Sequence, residues 1–239
     1  MNIKFRNSLM AILLAAITLS AVSCIPHIRG NGNVVKEERK VSDFEALEVS
    51  TGIEVLVTQD SIEKVVVEVD SNLLKILKTR VESGTLKIYL EEGILHAKSL
   101  RVYVTLKQLR SVETGSGSNV KSENKINAEK LKLSTSSGSG IKMEVNCGKL
   151  TAESSSGSHL TVSGTAQSLN ADTSSGSGID ASELVAEKGD LSASSGSHLK
   201  AQVTKEVKAD ASSGAGITVA GNPAIRNTDS SSGGSVHFK

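Results

Sequence analysis

Acidic side chains recur at a nearly constant interval in the second half of the chain, always four residues before a glycine that follows serine. The four that suggest a site are Glu153, Asp172, Asp210 and Asp229. Hard cations such as Ca²⁺ prefer carboxylate and hydroxyl oxygens, so acids on neighbouring strands could form weak calcium sites. Calcium takes about 6–8 oxygen ligands, however, and two carboxylates supply few of them. We favour a solvated face that discourages pairing between sheet edges, and keep weak calcium binding as the alternative. We predict no other cofactor.

Two histidines occupy a second repeated position, two residues after the glycine. His159 and His198 have Gly178 between them at the same position. If the repeats stack as strands about 4.8 Å apart, the two backbones lie about 9–10 Å apart. Zinc–nitrogen bonds are only about 2 Å long. We therefore interpret both residues as surface histidines and do not predict a zinc site.

Serines fill a third repeated position, two residues before the glycine. The members that we select as a possible binding face are Ser136, Ser155, Ser174, Ser194 and Ser212. Together with the glycines they would form a flat strip with few side chains. Such a strip could pack against a second copy or lie along a repetitive polymer such as a glycan, since solenoid faces often bind partners. The requirements of a tight turn explain the same residues equally well.

Signatures of enzymes and of nucleic-acid binding are weak in this chain. The Ser-Gly strings do not stand between a strand and a helix, as the nucleophile of a hydrolase would. Arginine is sparse after Arg110, and Arg226 is the remaining one. The 27 Lys and Arg residues are balanced by 26 Asp and Glu residues, so there is no basic surplus to neutralise phosphates. We predict a non-enzyme that does not bind nucleic acid.

A repeat of about nineteen residues must position all of these side chains. Its glycines are Gly117, Gly138, Gly157, Gly176, Gly196, Gly214 and Gly233. An aliphatic residue stands three residues after each of them, and polar residues alternate with the apolar ones, which is the period of a strand. One stretch of strand per short repeat predicts an all-β fold, a parallel β-helix (a single-chain solenoid) with seven Ser-Gly rungs. The serine directly before each glycine, and the serine or alanine directly after most of them, would then point inward, where the hydroxyls need hydrogen-bond partners.

The first part of the chain divides into an address and a further β region. Residues 1–23 resemble a lipoprotein signal peptide, because a basic start and a short apolar run lead to Leu19-Ser-Ala-Val-Ser-Cys24. Cys24 would then be lipidated, although a secretory peptide with an incidental cysteine remains the alternative. Residues 24–41 read as a tether and first strand. Residues 42–110 are rich in alternating apolar residues and predict strands, with one short helix at Asn72–Leu77.

Several segments together resemble a known family. They are Phe44–Gln59, Asn72–Leu74 with Val81–Ile88, and Val102–Leu106 running into the Ser-Gly repeats. These residues resemble the family described as "putative auto-transporter adhesin, head GIN domain", common in envelope lipoproteins of Bacteroidota. The resemblance covers residues 42–236, which we divide into an N-terminal β part (42–110) and the repeat rungs (111–239). It implies a right-handed β-helix and self-association, and it supplies no catalytic residues. The family's Gly-Ile-Asn reads Gly52-Ile53-Glu54 here.

These observations lead to one main functional hypothesis and two alternatives. The main one is a non-catalytic lipoprotein, anchored in the outer membrane or cell envelope, that presents a β-helical face to a glycan or protein. Whether it faces the periplasm or the exterior is left open. The first alternative is a structural envelope protein that assembles into homo-oligomers. A polysaccharide-active enzyme is the less favoured second alternative.

Overall fold

The computed structural model describes residues 28–239, and the predicted signal peptide (residues 1–23) and the predicted lipidation site Cys24 lie outside them. The chain there forms strands and one 3-10 turn, η1 (Ser71–Leu73). The strands of the first half are β1 (Ile28–Arg29), β2 (Val34–Arg39), β3 (Ala46–Val49), β4 (Glu54–Gln59), β5 (Lys64–Asp70), β6 (Leu77–Glu82), β7 (Thr85–Leu90), β8 (Ile94–His96), β9 (Leu100–Leu106) and β10 (Ser111–Thr114). Those of the second half are β11 (Asn119–Ser122), β12 (Ile126–Thr135), β13 (Gly140–Ser154), β14 (His159–Thr173), β15 (Gly178–Ala193), β16 (His198–Ala211), β17 (Gly216–Ala220), β18 (Ile225–Ser230) and β19 (Ser235–Phe238).

The second half is a parallel β-solenoid, as the repeat predicts. Strand β13 pairs in parallel with β14, β14 with β15, and β15 with β16. The register follows the repeat, since Glu153 lies opposite Asp172 and Ala152 opposite Ala171. Equivalent positions therefore form columns that run along the solenoid, one residue per rung.

Small and medium aliphatic side chains fill the interior between the walls of the solenoid. Leu150, Leu160 and Leu169 are at most 1% exposed, and Ala152 and Ala171 are fully buried. A regular stack of such residues needs no large aromatic ring, which accounts for a chain with no tryptophan and three phenylalanines. Each buried leucine contributes roughly 1.5–3 kcal/mol of hydrophobic free energy.

Antiparallel strands close the N-terminal end of the solenoid. Strand β9 continues one wall by pairing in parallel with β4, and β5 then pairs antiparallel with both β9 and β2. The hairpin of β6 and β7 extends the other wall through β3. The prediction of a β-rich N-terminal part is confirmed. The helix predicted at Asn72–Leu77 is wrong, because only η1 forms there and β6 already begins at Leu77.

Each Ser-Gly pair forms a tight turn, which places the serine differently from the prediction. Ser137 and Gly138 both have positive φ, 52° and 68°, and the N–H of Ser139 donates to the carbonyl of Ser136 at 3.1 Å. These are the features of a type I′ turn. Two left-handed residues interrupt the strand alternation, so the serine before each glycine is exposed to solvent. The prediction that this serine points inward is wrong.

Candidate functional site

The Ser-Gly turns stack into an exposed ridge along the solenoid. The N–H of Gly138 donates to the carbonyl of Ser156 in the next rung at 3.1 Å, and Gly157 does the same to Ser175 at 3.1 Å. One further turn at the N-terminal end was not predicted from the repeat. Thr51 and Gly52 also have positive φ, and the N–H of Gly52 donates to the carbonyl of Ser116 at 3.0 Å. We call this surface the Ser-Gly ridge; its pairs are 51–52, 116–117, 137–138, 156–157, 175–176, 195–196, 213–214 and 232–233.

The five serines predicted as a binding face lie beside this ridge and are half-buried. Their backbones are used within the fold, as when the N–H of Ser155 donates to the carbonyl of Thr135 at 3.0 Å. A Cβ built on Gly115, which has the same position in the first rung, would lie 3.6 Å from Oγ of Ser136. At this spacing, short side chains of adjacent rungs fit beside one another in the column. The ridge and this column together form a continuous surface of short side chains.

Buried hydroxyls hold the ridge from inside. Oγ of Ser158 donates toward the Thr135 carbonyl at 3.0 Å and lies 2.7 Å from the carbonyl of Ser155. Thr173 and Ser177 share a hydrogen bond of 2.8 Å in the next rung. The expectation that serines after the glycine point inward and find partners is thus confirmed. Because buried hydroxyls with partners at this spacing fix the turns, the ridge is a rigid surface.

The four acidic residues lie together in pairs, as the register predicts. Glu153 is adjacent to Asp172, and Asp210 to Asp229. Lysines accompany two of them: Nζ of Lys132 lies 2.9 Å from Glu153, and Nζ of Lys208 lies 2.8 Å from Asp210. The carboxylate of Asp210 raises the pKa of Lys208 by hydrogen bonding and charge. Among residues 28–239 no group of three or more His, Cys, Asp or Glu side chains is arranged to hold a metal ion. Weak calcium binding stays a prediction.

The two histidines approach each other more closely than their backbones do. Their ring centroids are 6.2 Å apart and their planes are tilted by 31°. Gly178 between them has no side chain, and a Cβ built there would lie within 3.0 Å of a nitrogen of each ring. The strand spacing alone does not reveal that both rings lean over the glycine.

Cys147 lies on the far side of the rung from the ridge and its thiol is buried. Burial raises the pKa of this thiol to about 11. An open groove of about 390 Å³ passes over it, lined by Asn146, Thr165 and Gln167 among others. A thiol with a raised pKa is a poor nucleophile at neutral pH.

Within residues 28–239, no helix is long and apolar enough to span a bilayer.

Comparisons with known proteins agree with this geometry. Residues 43–223 match a family model described as "Putative auto-transporter adhesin, head GIN domain". A crystal structure of a putative adhesin from Bacteroides fragilis has a TM-score of 0.82 at 18% identity, covering 89% of this chain and 100% of that one. A putative adhesin from Parabacteroides merdae has a TM-score of 0.73 at 16% identity, covering 89% and 99%. A putative lipid binding protein from Parabacteroides distasonis has a TM-score of 0.70 at 21% identity, with the same coverage of 89% and 99%. These likenesses concern the fold, and no curated protein matches the chain.

Proposed function

The chain belongs to the family described as "Putative auto-transporter adhesin, head GIN domain", and on that basis we propose that it is a non-catalytic binding module of the cell envelope. In this proposal Cys24 carries a lipid anchor. The Ser-Gly ridge, with Ser136, Ser155, Ser174, Ser194 and Ser212 beside it, contacts a glycan or protein partner. The family description supports adhesion at a cell surface, and the signal-like residues 1–23 support export and anchoring.

The observation that carries this proposal is the rigid, exposed and repetitive character of the Ser-Gly ridge. Eight turns present the same backbone and hydroxyl groups at a constant spacing. A polymer with its own repeat can match such a spacing over many rungs, so many weak contacts act together. Rigid surfaces lose little conformational entropy when they bind.

An array experiment tests this proposal. The purified chain is applied to glycans and matrix proteins, once with calcium and once with a chelator. We expect reproducible binding that is lost when Ser136, Ser174 and Ser212 are replaced by glutamate, because the charges stand on alternate rungs of the proposed face. Loss of binding in chelator would add the acidic column to the site.

A matched control carries the same three charges elsewhere. The control combines three substitutions at exposed positions outside the ridge, Gln167→Glu, Asn170→Glu and Thr204→Glu. This triple variant should bind as the unmodified chain does. Thermal unfolding of both variants establishes that they are folded. A blank array, or equal loss in both variants, contradicts recognition through the ridge.

The open C-terminal end of the solenoid favours one alternative, self-assembly. All six residues of β18 are exposed, and among residues 28–239 the one strand that forms a ladder with β18 is β16. Exposed edges of this kind pair readily with strands of another copy. Sedimentation velocity over a wide range of protein concentration separates the two functions, since a monomeric mass throughout contradicts self-assembly.

A further inference from the structure

We propose that His159 and His198 form a two-histidine site for a divalent transition-metal ion, with the ion seated above Gly178. The site is distinct from the Ser-Gly ridge and from the acidic column. Imidazole nitrogen suits zinc, copper and nickel, whereas calcium and magnesium prefer oxygen ligands. The site therefore takes a different class of ion from the one that the acidic residues would take.

The geometry rests on the glycine between the two rungs that carry the histidines. His159 pairs with Gly178 across one strand boundary and His198 pairs with Gly178 across the other. Nitrogens of both rings lie within 3.0 Å of the position that a Gly178 Cβ would occupy. Metal–nitrogen bonds of about 2 Å then require only small rotations of the two exposed side chains.

The neighbouring charged residues do not coordinate the ion, so water fills its remaining coordination positions. Asp180 follows on the same strand, but its carboxylate accepts hydrogen bonds from Ser182 and faces Nζ of Lys200 at 3.8 Å. Lys142 lies in the same column as Asp180, two rungs away. Two protein ligands completed by water predict an exchangeable ion of moderate affinity.

Isothermal titration of the full chain, purified without a histidine tag, tests this site with Zn²⁺, Ni²⁺, Cu²⁺, Ca²⁺ and Mg²⁺. We expect one equivalent of each transition metal to bind, with Cu²⁺ tightest, as the general order of divalent affinities requires. Neither Ca²⁺ nor Mg²⁺ should compete for it. His159→Gln and His198→Gln should each weaken binding at least about tenfold, since either change removes one of two ligands.

Two glycine variants keep both histidines and test whether the space above Gly178 is needed for the ion. Gly178→Ala places a methyl group against the two rings, which must move apart, so affinity should fall. Gly140→Ala is the matched control, because it lies in the same column beside His159 but its Cβ meets Asn119 instead. It should bind as the unmodified chain does, and so should His237→Gln. No transition-metal binding, binding that persists in the double histidine variant, or unchanged affinity in Gly178→Ala would overturn the site.

Discussion

The serine that precedes each glycine adopts a backbone conformation that serine rarely takes. Ser137, Ser156 and Ser175 have φ of 52°, 54° and 55°. A left-handed conformation costs a non-glycine residue about 1–2 kcal/mol, and asparagine or glycine would fit this turn position better. The fold bears this cost at seven rungs, and in return seven exposed serines lie along the ridge. The preference for serine is therefore poorly explained by turn stability alone, which supports a role for the hydroxyl surface.

Cys147, unlike the exposed serines of the ridge, has a buried thiol that is protected from reaction. Its pKa of about 11 leaves roughly one thiol in a thousand ionised at pH 8, far fewer than for an ordinary cysteine of pKa about 8.5. We expect iodoacetamide to modify Cys147 at least about 100-fold more slowly in the native chain than in guanidinium chloride. Peptide mass spectrometry distinguishes it from Cys24. Equal rates in the two conditions would contradict the burial of the thiol.

The elements show which parts of a fold a repeat can encode. The period of the glycines predicted the register, because each column of the solenoid repeats its chemistry at a constant interval. Thr51–Gly52 was missed because threonine replaces serine and the next rung is 65 residues further along. The pairing of β5 with β2 and β9 was also missed, since alternation in a short strand does not identify its partner. The repeat predicts that His159, Gly178 and His198 share one column, but the lean of the two rings over Gly178 depends on three-dimensional packing.

One carboxylate holds the N-terminal elements together. Asp70, at the end of β5, is 1% exposed, and its Oδ2 accepts hydrogen bonds from the N–H groups of Gly32 and Lys98 at 3.1 and 3.2 Å. Burial by itself would raise the pKa of Asp70, but these backbone donors and that of Ser99 lower it below its usual value. The ionised form therefore stabilises the folded state.

Asp70→Asn should lower the free energy of unfolding by roughly 1–3 kcal/mol at neutral pH, because a neutral amide oxygen accepts weaker hydrogen bonds from the N–H groups of Gly32 and Lys98 than the ionised carboxylate does. The folded pKa lies below the unfolded value of about 3.9. The stabilisation is accordingly complete above that value and is lost as the pH falls through the folded pKa. Urea titrations at several pH values should show a constant difference from pH 7 to 5 that shrinks below about pH 4. Asp172→Asn, at an exposed position, is the control, and a pH-independent difference for Asp70→Asn contradicts the assignment.

The whole molecule is a stack whose two ends differ. At the N-terminal end β2, β5 and β6 cover the first rungs. At the C-terminal end, within the described residues 28–239, β18 pairs with β16 alone and β19 with β17 alone. Phe238 is half-buried there, and the guanidinium carbon of Arg226 lies 4.4 Å from its ring centroid. In a solenoid each rung is stabilised by its neighbours, so a rung with one neighbour opens first.

Hydrogen exchange should therefore reveal a gradient of protection along the stack. We expect amides of β18 and β19 to exchange at least about tenfold faster than those of β14 and β15, because opening the last rung breaks one set of strand pairings and opening a central rung breaks two. Peptide-resolved exchange at low protein concentration measures this gradient. Repetition at high concentration is the control, since association through the open end would slow exchange in β18 and leave β14 unchanged. Uniform protection at low concentration would contradict an open end and would mean that the last rung is covered even in the monomer.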